Sequence, residues 1–172
     1  MNKNLELRLK ELRLKGQLDV LLFDKHGKLK KVLTAKNGIT NAGKDKLLGV
    51  MFNAQTAITT WYVGLIDSTS FTGLAAGDTM ASHAGWLEST AYTEAARVAW
   101  VEDTPASQQI TNSAAVVFSI NATGTMKGFF LNSLAPKGID DAGTLWSTAL
   151  FDGGDQAVAS GDKIHITYTL ST

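Results

Sequence analysis

Apolar positions recur along most of this chain in short runs of five to eight residues, many of them alternating with polar ones. QLDVLLF (17–23) and KLKKVLTA (28–35) are two such runs joined by Asp24, Lys25, His26 and Gly27. Gly27 can supply the positive φ of a tight turn, so the pair predicts a β-hairpin. Asn37-Gly38 reads as a further turn. In ITNAGKDKLLGVMFN the spacing changes: Leu47, Leu48, Met51 and Phe52 fall at helical intervals behind Asn41, the expected N-cap, predicting one short helix near residues 42–52.

The period-two signal then returns in TTWYVGLI (59–66), RVAWV (97–101), AAVVFSIN (114–121), TMKGFFLN (125–132), TLWSTALF (144–151) and KIHITYTL (163–170). With the hairpin these make eight strands, separated by turn residues such as Asn121 to Gly124 and Asp152 to Asp155. No regular strand-helix alternation supports parallel βαβ units. The expected fold is mainly β, an antiparallel eight-stranded sandwich of jelly-roll type with one short helix and an N-terminal arm. Trp61, Val63, Leu65, Trp100, Val117, Phe129, Leu131, Trp146 and Ile166 are its expected core. Residues 67–96, rich in Gly, Ala, Ser and Thr, form a long excursion, and loops of that length are functional or packed by their own side chains.

The first 16 residues read differently: ELRLK occurs twice in tandem, at 6–10 and 11–15, and Gly16 follows as an expected hinge. As a helix, Leu5, Leu9 and Leu12 form one stripe, and Glu6 with Lys10 and Glu11 with Lys15 are favourable i,i+4 pairs. As a strand, Leu5, Leu7 and Leu9 alternate, but the register breaks at Glu11 and Leu12 and Leu14 change parity. Either way leucines are left needing cover. The expected organisation is an interaction arm, 1–16, and a β-sandwich domain, 17–172. The arm's expected partner-binding residues are Leu5, Leu7, Arg8, Leu9, Leu12, Arg13 and Leu14.

Charge sharpens this division. The formal net charge is zero, yet residues 1–50 hold 12 Lys and Arg against 5 Asp and Glu, leaving the remainder at −7. A chain so polarised can attract copies of itself or present a basic end to an acidic partner. Nucleic acid is not an expected partner, because the basic residues alternate with leucine rather than with stacking aromatics. Nor is a membrane: no apolar run approaches the roughly 18 residues that cross a bilayer, and the N-terminus lacks the apolar stretch of a signal peptide. The chain contains no cysteine, which excludes disulfides, thiolate zinc sites and thiol nucleophiles together.

One stretch carries the residue types of hydrolytic chemistry. GDTMASHAGW (77–86) places Asp78, Ser82 and His83 within six positions. Adjacent residues diverge by about 100° on a helix and face opposite sides of a strand, a poor arrangement for a nucleophile and its base. Nor is there a G-x-S-x-G elbow. The competing reading has Asp78 capping a short helical turn, Gly85 ending it and Trp86 packing beneath. His26 and His165 have no second ligand at metal spacing, and Asp152, Asp155 and Asp162 read as turn residues. No catalytic residue, metal or cofactor is expected. Trp61, Trp100 and Trp146 raise a separate possibility, sugar binding by aromatic platforms, against the commoner role of core packing.

The longest distinctive segment, residues 61–100, contains WYVGLID, LAAGDTMASHAGW and YTEAARVAW. It resembles a segment recurring in virion structural proteins of tailed bacteriophages and their prophages. NGITNAGKDKLL, ATGTMKGFFL and GTLWSTALF are similar to the same family, so the resemblance covers nearly everything after about residue 17. Val98 stands where that family commonly has Pro. Family members range from head decoration proteins to head and tail fibres. The resemblance implies a non-enzymatic virion protein assembled in the host cytoplasm, foremost a capsid decoration or cement protein bound to the major capsid protein or other virion subunits. It further implies a homo-oligomer, a trimer foremost. The alternative it leaves is a head or tail fibre module that binds host surface glycans.

Overall fold

The computed structural model describes residues 14–172. They form β1 (Lys15–Phe23), β2 (Leu29–Ile39), α1 (Asn41–Phe52), β3 (Trp61–Asp67), β4 (Glu88–Ser89), β5 (Val98–Trp100), β6 (Gln109–Thr111), β7 (Val116–Ser119), β8 (Gly124–Asn132), β9 (Leu145–Phe151), β10 (Gln156–Val158) and β11 (Lys163–Ser171). The fold is mainly β, with one short helix among the described residues. All eight anticipated strands are present. The three additional ones, β4, β6 and β10, are two or three residues long.

All pairings between strands are antiparallel, and the strands join in one open sheet ordered β4-β3-β8-β9-β2-β1-β11-β6, with β5 on β3, β7 on β11 and β10 on β8. The sheet curls until its two ends meet. Beyond β5, Glu102 bridges Asn112 and the Ser113 amide donates to the Val101 carbonyl at 2.9 Å. Farther along, Tyr92 bridges Ile120. Curling places Leu18, Val20 and Leu22 of β1 inside, with Val63, Leu65, Phe129, Trp146 and Ile166 in the same core. Strict alternation in β1 reflects this: its even positions from 16 to 22 are buried and its odd ones from 15 to 21 exposed.

β3, β8 and β9 are buried on both faces. Their inner side chains join the main core, while Ile66, Phe130 and Leu145 point to the outer face and meet Met80 and Trp86 of the long excursion. Gly64 makes this second layer possible. A Cβ there would lie 2.2 Å from the Phe130 ring, so the phenyl group of the opposed residue occupies the space a side chain would need.

Three local expectations need correction. Asn37-Gly38 is not a turn but the end of β2, paired with Ala149 and Thr148, and strand pairing overrides the local turn preference. The N-cap of α1 is Thr40 rather than Asn41: its Oγ1 accepts from the Gly43 amide at 3.0 Å while its own N–H donates to the Trp146 carbonyl. Val117 is only half-buried, because Val116 and Phe118 are the inward positions of β7. The helix that the spacing predicted is present, and most of its apolar stripe faces solvent. Gly43 packs backbone to backbone on Trp146, a contact that a Cβ would break at 2.5 Å from the carbonyl oxygen. Leu47 follows it onto the core, and Leu48, Met51 and Phe52 are left 55%, 64% and 81% exposed.

Candidate functional site

The excursion is built as a plug. Asp78 Oδ2 accepts hydrogen bonds from the Ala75 amide at 2.9 Å and from the Trp86 indole at 3.0 Å, fixing a buried tryptophan under the loop. Thr79 and Ser82 close a tight turn by exchanging backbone hydrogen bonds, so the expected helical turn between Asp78 and Gly85 is a β-turn instead. His83 stacks on Trp86 with ring centroids 3.9 Å apart, and its Nδ1 donates to the Trp86 carbonyl at 3.0 Å. Its Nε2 faces Asp140 at 3.1 Å. Asp78, Ser82 and His83 thus share a loop without sharing a hydrogen bond. The aspartate holds tryptophan rather than histidine, and the exposed serine is engaged only through its backbone.

A second node ties the plug to the sheet. Arg97 is 2% exposed, and its Nε and Nη2 donate to the two Glu88 oxygens at 2.9 and 2.8 Å while Nη1 donates to Asp141 at 2.6 Å. Its remaining donors reach the Leu134 and Ile139 carbonyls. Burial opposes the guanidinium charge, but the hydrogen bonds to Glu88 and Asp141 outweigh it and hold the Arg97 pKa above the ordinary arginine value. Asn132 and the Gly143 amide also bond to Asp141, so one cation locks β4, the 134–141 loop and the end of β8. Every donor is committed to protein acceptors, which makes this a structural lock.

The other candidates are dispersed. His26 lies in the β1–β2 turn, where its backbone N–H donates to Asp24. His165 packs on Phe23 in β11, its pKa lowered by burial and by Lys163. Asp162 pairs with Lys30 at 2.6 Å, Asp155 with Lys127 at 2.9 Å, and Asp152 accepts from the Thr34 hydroxyl. No group of three potential metal ligands converges among the described residues.

The tryptophans do converge, at the mouth of the curled sheet beside α1. Trp61 and Trp146 lie 5.7 Å apart, Trp100 and Tyr168 5.4 Å. Together with Leu131 and Leu170 they line a cavity of about 260 Å³. Trp100 and Trp146 are 5% and 8% exposed, and their indole N–H groups are taken up by Asn112 and by the Tyr168 hydroxyl. They therefore belong to the core and present no open stacking platform. Trp61 is half-buried at the edge. Lys46 and Glu102 supply charge at the rim of walls that are otherwise almost wholly apolar.

Of the arm residues, Leu5, Leu7, Arg8, Leu9, Leu12 and Arg13 lie outside the described residues. Leu14 packs against the chain's own core, and Gly16 is no hinge: it is buried within β1 opposite Leu170, with the Asn37 side chain against it. Sequence reasoning missed Arg97 and the mouth. The first joins residues 9 and 44 positions apart. The second gathers side chains from six separate strands and a helix.

Compared with models of protein families, with curated proteins and with solved structures, the chain matches none.

Proposed function

We propose that this chain is a non-enzymatic structural subunit of a tailed-phage particle, a cement or decoration protein on the capsid exterior. The observation that carries the reading is the resemblance of WYVGLID, LAAGDTMASHAGW and YTEAARVAW to virion proteins of such phages. The use made of those residues supports it. Polar side chains that would serve chemistry are committed to internal contacts: Asp78 to Trp86, Glu88 to Arg97, and His83 to the Trp86 backbone. A body locked in this way is suited to bearing load between neighbours.

Nested pairing, β1 with β11, β2 with β9 and β3 with β8, describes a long hairpin rolled around a core and supports the jelly-roll reading. The subunit acts as a symmetric homo-oligomer, a trimer, held in place by its leucine-rich arm and bound to the major capsid protein. A fibre module binding host glycans is the second reading, favoured only by half-exposed Trp61 at the mouth.

Co-sedimentation with capsids stripped of the protein tests the proposal. Saturable binding at a fixed copy number, lost on deleting residues 1–13, is the expected result. Failure to bind capsids, together with retention on host polysaccharide, would replace it with the fibre reading.

A further inference from the structure

We propose that the apolar mouth of the curled sheet, together with the outward face of α1, seats the leucine arm (residues 1–13) of a second copy of this chain. The inference rests on the structural-subunit reading and names the neighbour that the arm grips.

The surface lacks cover from any described residue. Leu47 and Val50 of α1 line the cavity, and Leu48, Met51 and Phe52 of the same helix are exposed to solvent. Phe52 alone is 81% exposed, and an apolar patch of this kind on a soluble body marks an interaction site.

The sequence supplies a matching occupant. Leu5, Leu7, Leu9 and Leu12 are apolar positions that no single helical or strand face gathers, and Arg8, Lys10 and Arg13 outnumber Glu6 and Glu11. At the rim, Glu102 is exposed, makes no ion pair with another described residue, and precedes exposed Asp103. The basic arm is complementary to this Glu102–Asp103 side of the rim, across from Lys46 on α1.

Composition and reach assign the arm to a neighbour. Lys15, the first residue of β1, pairs with Ser171, the last of β11, beside Leu170 of the chain's own mouth. From Leu5 to Lys15 there is no Gly, Pro, Asn, Asp or Ser with which to turn back onto the same mouth. Thirteen residues reach about 20 Å as a helix and about 45 Å extended, against a radius of gyration of about 15 Å for a body of this size. An arm-to-mouth contact is head-to-tail, and three copies arranged about an axis close it into a ring.

Because the chain has no cysteine, cross-linking reads the contact directly. Full-length Leu9→Cys and Met51→Cys proteins, co-refolded and gently oxidised, are expected to give a disulfide-linked heterodimer. A Leu9→Cys/Met51→Cys chain that links only within itself overturns the proposal, as does the absence of any link. In sedimentation the full-length Phe52→Asp protein is expected to dissociate at concentrations about tenfold or more higher than wild type, at unchanged near-ultraviolet circular dichroism. Wild-type self-association that survives this substitution also overturns it. Capsid binding is scored separately: copies that cross-link but ignore capsids retire the virion reading alone, and copies that bind capsids without cross-linking retire this one.

Discussion

Arg97 meets Glu88 as a bidentate pair, with Nε–Oε1 at 2.9 Å and Nη2–Oε2 at 2.8 Å, and their side chains are 0% and 5% exposed. Removing the cation strands Glu88 and Asp141 in a buried site. Arg97→Ala is expected to cost about 3–5 kcal/mol, measured as a lower denaturant midpoint. Arg97→Lys keeps the charge but not the fork, and is expected to recover only part of that loss.

The cap of α1 separates two adjacent residues. Thr40 is 1% exposed and its hydroxyl also donates to the Leu145 carbonyl, whereas the Asn41 side chain caps nothing. Thr40→Ala is expected to lose about 1–2 kcal/mol and Asn41→Ala a few tenths, both measured by thermal unfolding.

The plug predicts a contrast of its own. Ser82→Ala is expected to leave stability within about 0.5 kcal/mol. Trp86→Ala opens the second core and removes the indole held by Asp78, for an expected loss of about 3–5 kcal/mol. Trp100→Ala and Trp146→Ala are expected to cost the same order, since both indoles are buried. If these two melted like wild type yet lost polysaccharide binding, the platform reading would be correct and the core assignment wrong.

His165 gives the fold a pH dependence. Burial, and secondarily Lys163, lowers its folded-state pKa below the ordinary 6.5. Between the folded and unfolded values the unfolded chain therefore binds more protons. This residue's contribution is complete above pH 6.5 and declines as the pH falls below it. His165→Gln is expected to flatten the melting temperature between pH 7 and 5. The lowered pKa of Asp24, due to backbone hydrogen bonds from Lys28 and His26, acts in a separate and more acidic window: its contribution is present above the unfolded value of 3.8 and lost as pH falls through the folded one.

Legibility in the sequence followed the range of the interactions. KIHITYTL announces β11 because every second side chain enters the core. β4, β6 and β10 are too short to show a period, and their pairing partners lie far away in the chain. In β7 both Val116 and Val117 are apolar, so composition alone did not fix the parity. For α1 the helix was legible but its orientation was not. Gly43 decides that orientation through backbone contact with Trp146, about a hundred residues away. The absence of a triad could be argued from the adjacency of Ser82 and His83, whereas the structural task of Asp78 required the position of Trp86.

A cryo-electron microscopy map of the parent particle tests the central claim most directly. A cement protein is expected to give density for this curled sheet on the outer surface of the capsid, in three copies around a symmetry axis, each arm crossing to its neighbour's mouth. Density confined to a tail appendage, or none on the particle, would contradict it.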